Sequence, residues 1–209
     1  DRVLAMKCNS DLEMPTTGGE TIKDVINAVL SGEIKESIID EALERLLKII
    51  FETNKILETD TNVDNIKHHY TAEKVAANSI VLLKNKDGAL PLKKEETVAV
   101  IGDFARFPRF QGAGSSGVNP IRVDTALESI EETDIKFIGF EQGFKRYGKK
   151  SRSLIKKAVK LAQKADTVLL YIGLDEATES EGLDRKNMKL PQNQIELIKA
   201  LRQTGKKNS

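Results

Sequence analysis

The chain contains a single cysteine, Cys8, so no disulfide can form within it and the fold must close on packing and hydrogen bonding. That content suits a reducing compartment, and equally the many secreted bacterial enzymes that lack disulfides. Cys8 itself reads as a small apolar residue of a core. Charge of one sign is also lacking: 33 Lys and Arg stand against 32 Asp and Glu, a formal net charge of +1. Without a dominant field, neither a nucleic acid nor an anionic membrane surface is expected as a partner. No run approaches the roughly 20 consecutive apolar residues of a membrane-spanning helix, and no signal-peptide pattern opens the chain. Histidine is scarce, and the two present, His68 and His69, are adjacent. On a helix such neighbours project about 100° apart, so they cannot grip one ion as an i, i+4 pair does. No metal and no other cofactor is expected.

What is present is globular. With 39% hydrophobic and 31% charged residues over 209 positions, the chain can bury a core in one domain or two small ones. Apolar residues at helical spacing predict helices over 20–30, ended by Ser31-Gly32, and over 36–57, with Ser37 and Asp40 at the spacing of a capping box. Two helices with no strand between them do not close a core alone, so they read as the end of a domain whose strands lie upstream. The polar run 59–65 reads as a linker and sets a domain boundary near residue 60. Beyond it come a helix over 71–78 and an apolar strand over 80–84, closed by Lys86-Asp87-Gly88. A regular alternation follows, with strands over 97–101, 135–140 and 167–172 and helices over 124–131, 151–165 and 192–203. Repeated βα units of this kind give an α/β fold, a mostly parallel sheet flanked by helices. The chain starts at Asp1 without a methionine, and its last residues, Lys206-Lys207-Asn208-Ser209, stand where another strand is due. It reads as a piece of a longer protein.

In an open α/β sheet, reacting groups gather outside the carboxyl ends of the strands, where loops can approach a ligand while the sheet stays rigid. After the strand at 167–172 lies Thr178-Glu179-Ser180-Glu181-Gly182-Leu183-Asp184-Arg185, with three acidic groups and a glycine. Glu181 is the candidate of choice, because Gly182 lets the backbone turn sharply and leaves the carboxyl room to face a substrate. Glu179 and Asp184 are the local alternatives, and Asp184 with Arg185 forms a pair able to hold the loop. A glutamate in a charged loop is, by itself, most often a solvated side chain.

Two other motifs carry less. Gly112-Ala113-Gly114-Ser115-Ser116-Gly117 fits G-x-G-x-x-G, but residues 103–111 separate it from the preceding strand and its Gly102, and Val118-Asn119-Pro120 follows instead of a helix. A dinucleotide fingerprint needs its first glycine in the turn after the strand and a helix opening at the last, so nucleotide binding is not expected. The basic run 145–157 has no aromatic platform beyond Tyr147 and reads as a solvated face.

The run Glu179-Ser180-Glu181-Gly182-Leu183-Asp184-Arg185, with Leu190-Pro191 and Gln194 after it, resembles the acid/base segment of glycoside hydrolase family 3, the β-glucosidase family. Four further stretches resemble that family's landmarks in order: Asp11-Leu12-Glu13-Met14-Pro15; Ile80 to Asn85 with Gly88 and Leu90-Pro91-Leu92; Val98-Ala99-Val100-Ile101-Gly102; and Gly112-Ala113-Gly114-Ser115-Ser116. The resemblance implies residues 1–59 as the C-terminal remnant of a barrel catalytic domain plus linker. It implies 60–209 as the N-terminal part of an α/β sandwich domain. Glu181 is then the general acid/base of a retaining, exo-acting β-glycosidase, with a β-linked glucoside or oligosaccharide as substrate. The glycine-serine loop either leans over the sugar, where Ser115 and Ser116 can donate hydrogen bonds, or is an ordinary flexible loop. The nucleophile of the family is an aspartate in a Ser-Asp-Trp segment, which this chain lacks, as it lacks tryptophan altogether. Asp1 matches a later His-Asp-Arg aspartate and is not that nucleophile. Cys8-Asn9-Ser10 departs from the family's alanine-glycine turn and leaves the backbone there open. The remainder of the barrel and sandwich domains is the implied partner. The rival reading is an inert truncated product or an α/β interaction module.

Overall fold

The computed structural model describes residues 1–57 and 62–205 and the backbone of 207–208. It divides into two compact units, Asp1–Ile80 and Val81–Ser209. The boundary expected at 59/60 falls on residues outside the described ones.

The first unit is helical: α1 (Arg2–Lys7), α2 (Ile22–Leu30), α3 (Glu36–Leu57) and α4 (Asn65–Ser79). Asp1 caps α1 by accepting from the Leu4 N–H at 3.0 Å. The departure at Cys8-Asn9-Ser10 leaves the turn intact. Asn9 takes φ +62°, the Asn9 N–H reaches the Met6 carbonyl, and the Ser10 N–H reaches the Ala5 carbonyl, both at 3.0 Å. This is a Schellman closure with asparagine, the residue besides glycine that visits the left-handed region most readily, in the glycine position. Ser31-Gly32 ends α2 by the same geometry, with Gly32 at φ +77°.

Asp11 anchors its segment to α3 through a bidentate pair, Arg45 Nε to Oδ2 at 2.9 Å and Arg45 Nη2 to Oδ1 at 2.7 Å. Those bonds hold the Asp11 carboxyl below its ordinary value. Three expectations fail in this unit. Ser37 lies inside α3, which already begins at Glu36, so it caps nothing. The helix expected from 71 starts at Asn65, because Asp64 accepts from the Lys67 N–H at 2.9 Å and caps it earlier. Cys8 is exposed, since it ends a six-residue helix with no buried residue. Among the described residues no helix is long and apolar enough to cross a membrane.

The second unit carries a parallel sheet of β1 (Thr97–Ile101), β2 (Lys136–Glu141), β3 (Thr167–Leu170) and the two-residue β4 (Lys207–Asn208), in the order β2-β1-β3-β4. Helices α5 (Ala126–Glu131), α6 (Arg152–Ala162) and α7 (Gln192–Arg202) connect them. Alternation along β1 sorts its side chains to two faces. Ala99 and Ile101 pack with Ala158 and Ala162 of α6 and Leu197 and Leu201 of α7, whereas Val100 packs with Leu127 and Ile130 of α5. Right-handed crossovers demand this split. The step from β1 to β2 runs one way along the sheet and the return to β3 runs the other, so their helices fall on opposite faces.

Local sequence sets the ends. Thr125 and Glu128 form a reciprocal capping box on α5, and Ser151 caps α6. At the amino edge Asp166 Oδ2 accepts from the Thr97 N–H and hydroxyl at 2.9 and 2.7 Å. A bulge at Ile138 shifts the register between Val98↔Phe137 and Ala99↔Gly139, so Phe137 and Phe140, three residues apart, both pack in the α5 cluster.

Residues 80–84, expected as a strand, form none: Ile80, Val81, Leu82 and Leu83 are 79%, 73%, 62% and 92% exposed. A strand needs a neighbour for its N–H and C=O groups, and among the described residues none pairs with this run. The turn beyond it is fixed by Asn85, whose amide donates to the Leu90 carbonyl and accepts from the Leu90 N–H, each at 2.9 Å. The basic run is only partly solvated. Arg146 is mostly buried in an ion pair with Asp103, and Lys150 pairs with Glu196 of α7, holding that carboxyl below its usual range.

Two outcomes follow. Gly102 has φ +121°, and a Cβ there falls 2.0 Å from the Tyr171 carbonyl oxygen. Gly102→Ala should therefore lower stability by about 3 kcal/mol or more, against about 1 kcal/mol for Gly148→Ala. Gly148 has φ +78° in open space. Denaturation midpoints measure the contrast, and equal losses contradict it. The Asp11 pair stabilises above the unfolded-state pKa, near the ordinary 3.8, and is lost as pH falls through the lower folded value. The melting-temperature gap between the parent and Asp11→Asn should accordingly hold from neutral pH down to about pH 5 and narrow as the pH falls below 3.8; a gap constant into that acid range contradicts this.

Candidate functional site

Parallel strands place their carboxyl ends on one edge, and the order β2-β1-β3 puts the reversal of connection direction between β1 and β3. Ligand crevices in such sheets open at that reversal. Two loops meet there, 102–125 after β1 and 171–191 after β3. They lie close: only the missing side chain of Gly102 lets the β1 end pass Tyr171.

The loop after β3 is built stepwise. Gln194, wholly buried on α7, accepts from the Gly173 N–H at 3.0 Å and donates to the Gly173 carbonyl at 2.8 Å. Both polar groups of a backbone unit leaving the sheet are thereby satisfied, each worth about 1–3 kcal/mol if left unpaired. Asp175, 2% exposed, then turns the chain by accepting at Oδ1 from the Thr178 N–H and hydroxyl, both at 2.8 Å. Next comes a tight turn, with an antiparallel bridge between Ser180 and Leu183 and the Leu183 N–H on the Ser180 carbonyl at 3.1 Å. Gly182 takes φ +80° at the third position, the value a type II turn requires there. Glu181 is the second position, so its side chain stands at the tip, exposed.

The loop after β1 reaches it. Gln111 Oε1 accepts from the Val118 N–H at 2.8 Å and closes the glycine-serine segment into a compact bend. Ser115 Oγ donates to Glu181 Oε2 at 2.7 Å, whereas Ser116 turns back to the Ala113 carbonyl at 3.1 Å. Gly114, at φ +75°, lies so close that a Cβ would stand 3.2 Å from Glu181 Oε2. Among the described residues Glu181 has no ion-pair partner.

Charged groups brace the crevice. Arg109 Nη1 bonds Glu179 Oε2 at 3.2 Å and the Leu174 carbonyl at 3.5 Å, and its Nη2 bonds the Glu179 carbonyl at 2.6 Å. Deeper, Asp103 accepts from Gln142 Nε2 at 3.1 Å and Arg146 Nε at 2.8 Å. Arg146 also pairs with Glu176 at 3.6 Å and lies over the Phe104 ring at 4.6 Å. Asp103, Phe104 and Arg109 after β1, Gln142 and Arg146 after β2, and Leu174, Glu176 and Glu179 after β3 are joined in this way.

Of the residues singled out in the sequence, Glu181 and Ser115 are brought into contact, Glu179 is occupied by Arg109, and Asp184 is exposed. Arg185 does not pair with Asp184 among the described residues, and its buried Nε has no hydrogen-bond partner. The loop is held by Arg109 instead. Arg109 and the Asp103-Arg146-Glu176 chain were not anticipated, because their partners lie 70, 43 and 30 residues away and no local pattern marks them.

Comparison with known proteins agrees with this architecture. Residues 80–208 match the Glycosyl hydrolase family 3 C-terminal domain. The chain is 41% identical over 204 residues to thermostable β-glucosidase B of Acetivibrio thermocellus, covering 96% of this chain and 27% of that protein. It is 34% identical over 209 residues to an exo-α-(1→6)-L-arabinopyranosidase of Bifidobacterium breve, covering 95% of this chain and 27% of that one. A crystal structure of a Bifidobacterium adolescentis family 3 β-glucosidase superposes with a TM-score of 0.79 at 33% identity, over 98% of this chain and 30% of the other. The chain thus spans under a third of the length of these relatives. With a domain model matched over more than half its residues and an α/β sheet to fit, the chain belongs to glycosyl hydrolase family 3.

Proposed function

We propose that this chain contributes the acid/base residue, Glu181, to a retaining, exo-acting β-glycosidase of β-glucosidase type. The nucleophilic carboxylate then belongs to polypeptide outside the 209 residues, and residues 1–59 form the end of the barrel domain that carries it. The carrying observation is the contact of Glu181 with Ser115 at the β1/β3 reversal, which presents a carboxyl group at a turn tip where two loops converge. The absence of tryptophan, hence of any Ser-Asp-Trp segment, and the 27% coverage of the relatives support a separate origin for the nucleophile.

In this reading Glu181 gives its proton to the glycosidic oxygen as the bond to the anomeric carbon breaks, and the distant carboxylate bonds that carbon from the opposite face. Glu181, now ionised, takes a proton from water, whose oxygen displaces the enzyme carboxylate and regenerates both groups. The Ser115 hydroxyl fixes one carboxyl oxygen and limits the orientations the group can take. Likeness to an exo-α-(1→6)-L-arabinopyranosidase makes L-arabinopyranosides worth assaying beside β-glucosides.

A chimera in which this chain replaces the matching segment of the A. thermocellus relative tests the reading. Glu181→Gln should lower kcat/KM on nitrophenyl β-glucoside by about 10²–10⁴-fold. The first step should be largely spared for a dinitrophenyl leaving group, which needs no protonation, and azide should restore turnover. A variant as active as the parent on both substrates removes Glu181 from the role. The purified 209-residue chain alone should show no turnover of nitrophenyl β-glucoside; activity that survives repurification and disappears in Glu181→Gln contradicts a nucleophile supplied from elsewhere.

A further inference from the structure

We propose that Arg109 is the positioning residue of the acid/base loop. It would act by clamping the two ends of the segment 174–179, so that the turn bearing Glu181 is held in register with the loop after β1. The inference rests on the acid/base reading of Glu181 for its consequence in catalysis, but the clamp itself is separately measurable.

Three contacts make the argument. One guanidinium reaches the Leu174 carbonyl at 3.5 Å, the Glu179 carbonyl at 2.6 Å and the Glu179 carboxylate at 3.2 Å. Leu174 lies just past the backbone unit pinned by Gln194, and Glu179 immediately precedes the Ser180–Leu183 bridge. The clamp thus closes a six-residue arc tied internally at Asp175, whose Oδ1 accepts from the Thr178 N–H and hydroxyl and whose carbonyl accepts from the Thr178 and Glu179 N–H groups at 3.1 Å. The Arg109 side chain is 19% exposed against 49% for Glu179, so the arginine is the shielded partner, and its planar fork loses little entropy on binding two or more acceptors. Arg109 also belongs to the same loop as Ser115, six residues further on. Its position therefore ties both partners of the Ser115–Glu181 hydrogen bond, at 2.7 Å, to one another. Two carbonyls are among its three acceptors. A lysine, with one compact ammonium group, cannot span them in the same plane.

Hydrogen exchange of the 209-residue chain, followed by mass spectrometry, tests the clamp directly. Arg109→Met should raise exchange about tenfold or more in peptides covering 175–183, where the Thr178, Glu179 and Leu183 amides are protected, and leave β1, β3 and α6 at parental rates. Arg109→Lys should recover only part of the protection. Glu179→Gln, which keeps both carbonyl contacts, should stay within about twofold of the parent. Unchanged exchange in Arg109→Met, or a rise spread evenly over the whole unit, overturns the proposal. In the chimera, Arg109→Met should lower kcat more for nitrophenyl than for dinitrophenyl glucoside, with KM little altered, a signature that general loss of stability does not produce. Equal losses on both substrates overturn the positioning role. If the exchange result holds while Glu181→Gln proves insensitive to the leaving group, the acid/base reading falls alone and the clamp stands as a brace of the loop.

Discussion

A strand with neighbours on both edges and helices on both faces has nowhere to send its backbone polar groups except into those neighbours. β1 is in that position. Val98, Ala99, Val100 and Ile101 are wholly buried, and their N–H and C=O groups are met by β2 on one side and β3 on the other. The rest of the α/β unit depends on this pairing. It forces the crossovers to run in opposite directions, puts α5 on one face and α6 and α7 on the other, and fixes where the loops after β1 and β3 converge.

The family landmarks in this chain acquire separate physical duties. Asp11 ties its segment to α3 by a bidentate ion pair, and Asn85 bridges a turn to Leu90. Gly102 permits a backbone approach that no side chain tolerates. Gly114 lets the glycine-serine loop reach Glu181, and Ser115 completes the contact. Pro191 opens α7, which delivers Gln194 to the Gly173 backbone. Only two of these residues touch the candidate acid. The others hold the geometry in which that touch occurs, which explains why a motif so spread along the chain identifies a single crevice.

The strand expected over 80–84 shows a limit of periodicity. Ile80, Val81, Leu82 and Leu83 satisfy the composition of a buried strand, but burial is a property of what lies alongside. Without a neighbouring edge among the described residues, the same side chains are exposed. The bulge at Ile138 makes the complementary point. Strict alternation assigns Phe137 and Phe140 to opposite faces, and one extra residue in β2 brings both to the same one.

By itself the sequence determined the α/β class, the three main strands and the helices between them, because these follow from apolar period and glycine positions acting over a few residues. It also marked the 178–185 stretch and Glu181 within it, since Gly182 and the flanking acidic groups are local. Only the tertiary structure decided that Ser115 meets Glu181, that Arg109 rather than Arg185 holds the loop, and that Arg146 is drawn from a basic run into a pair with Asp103. Each of those contacts joins groups more than 40 residues apart. Which distant donors and acceptors meet is settled by the order in which parallel strands pair, and no local pattern carries that information.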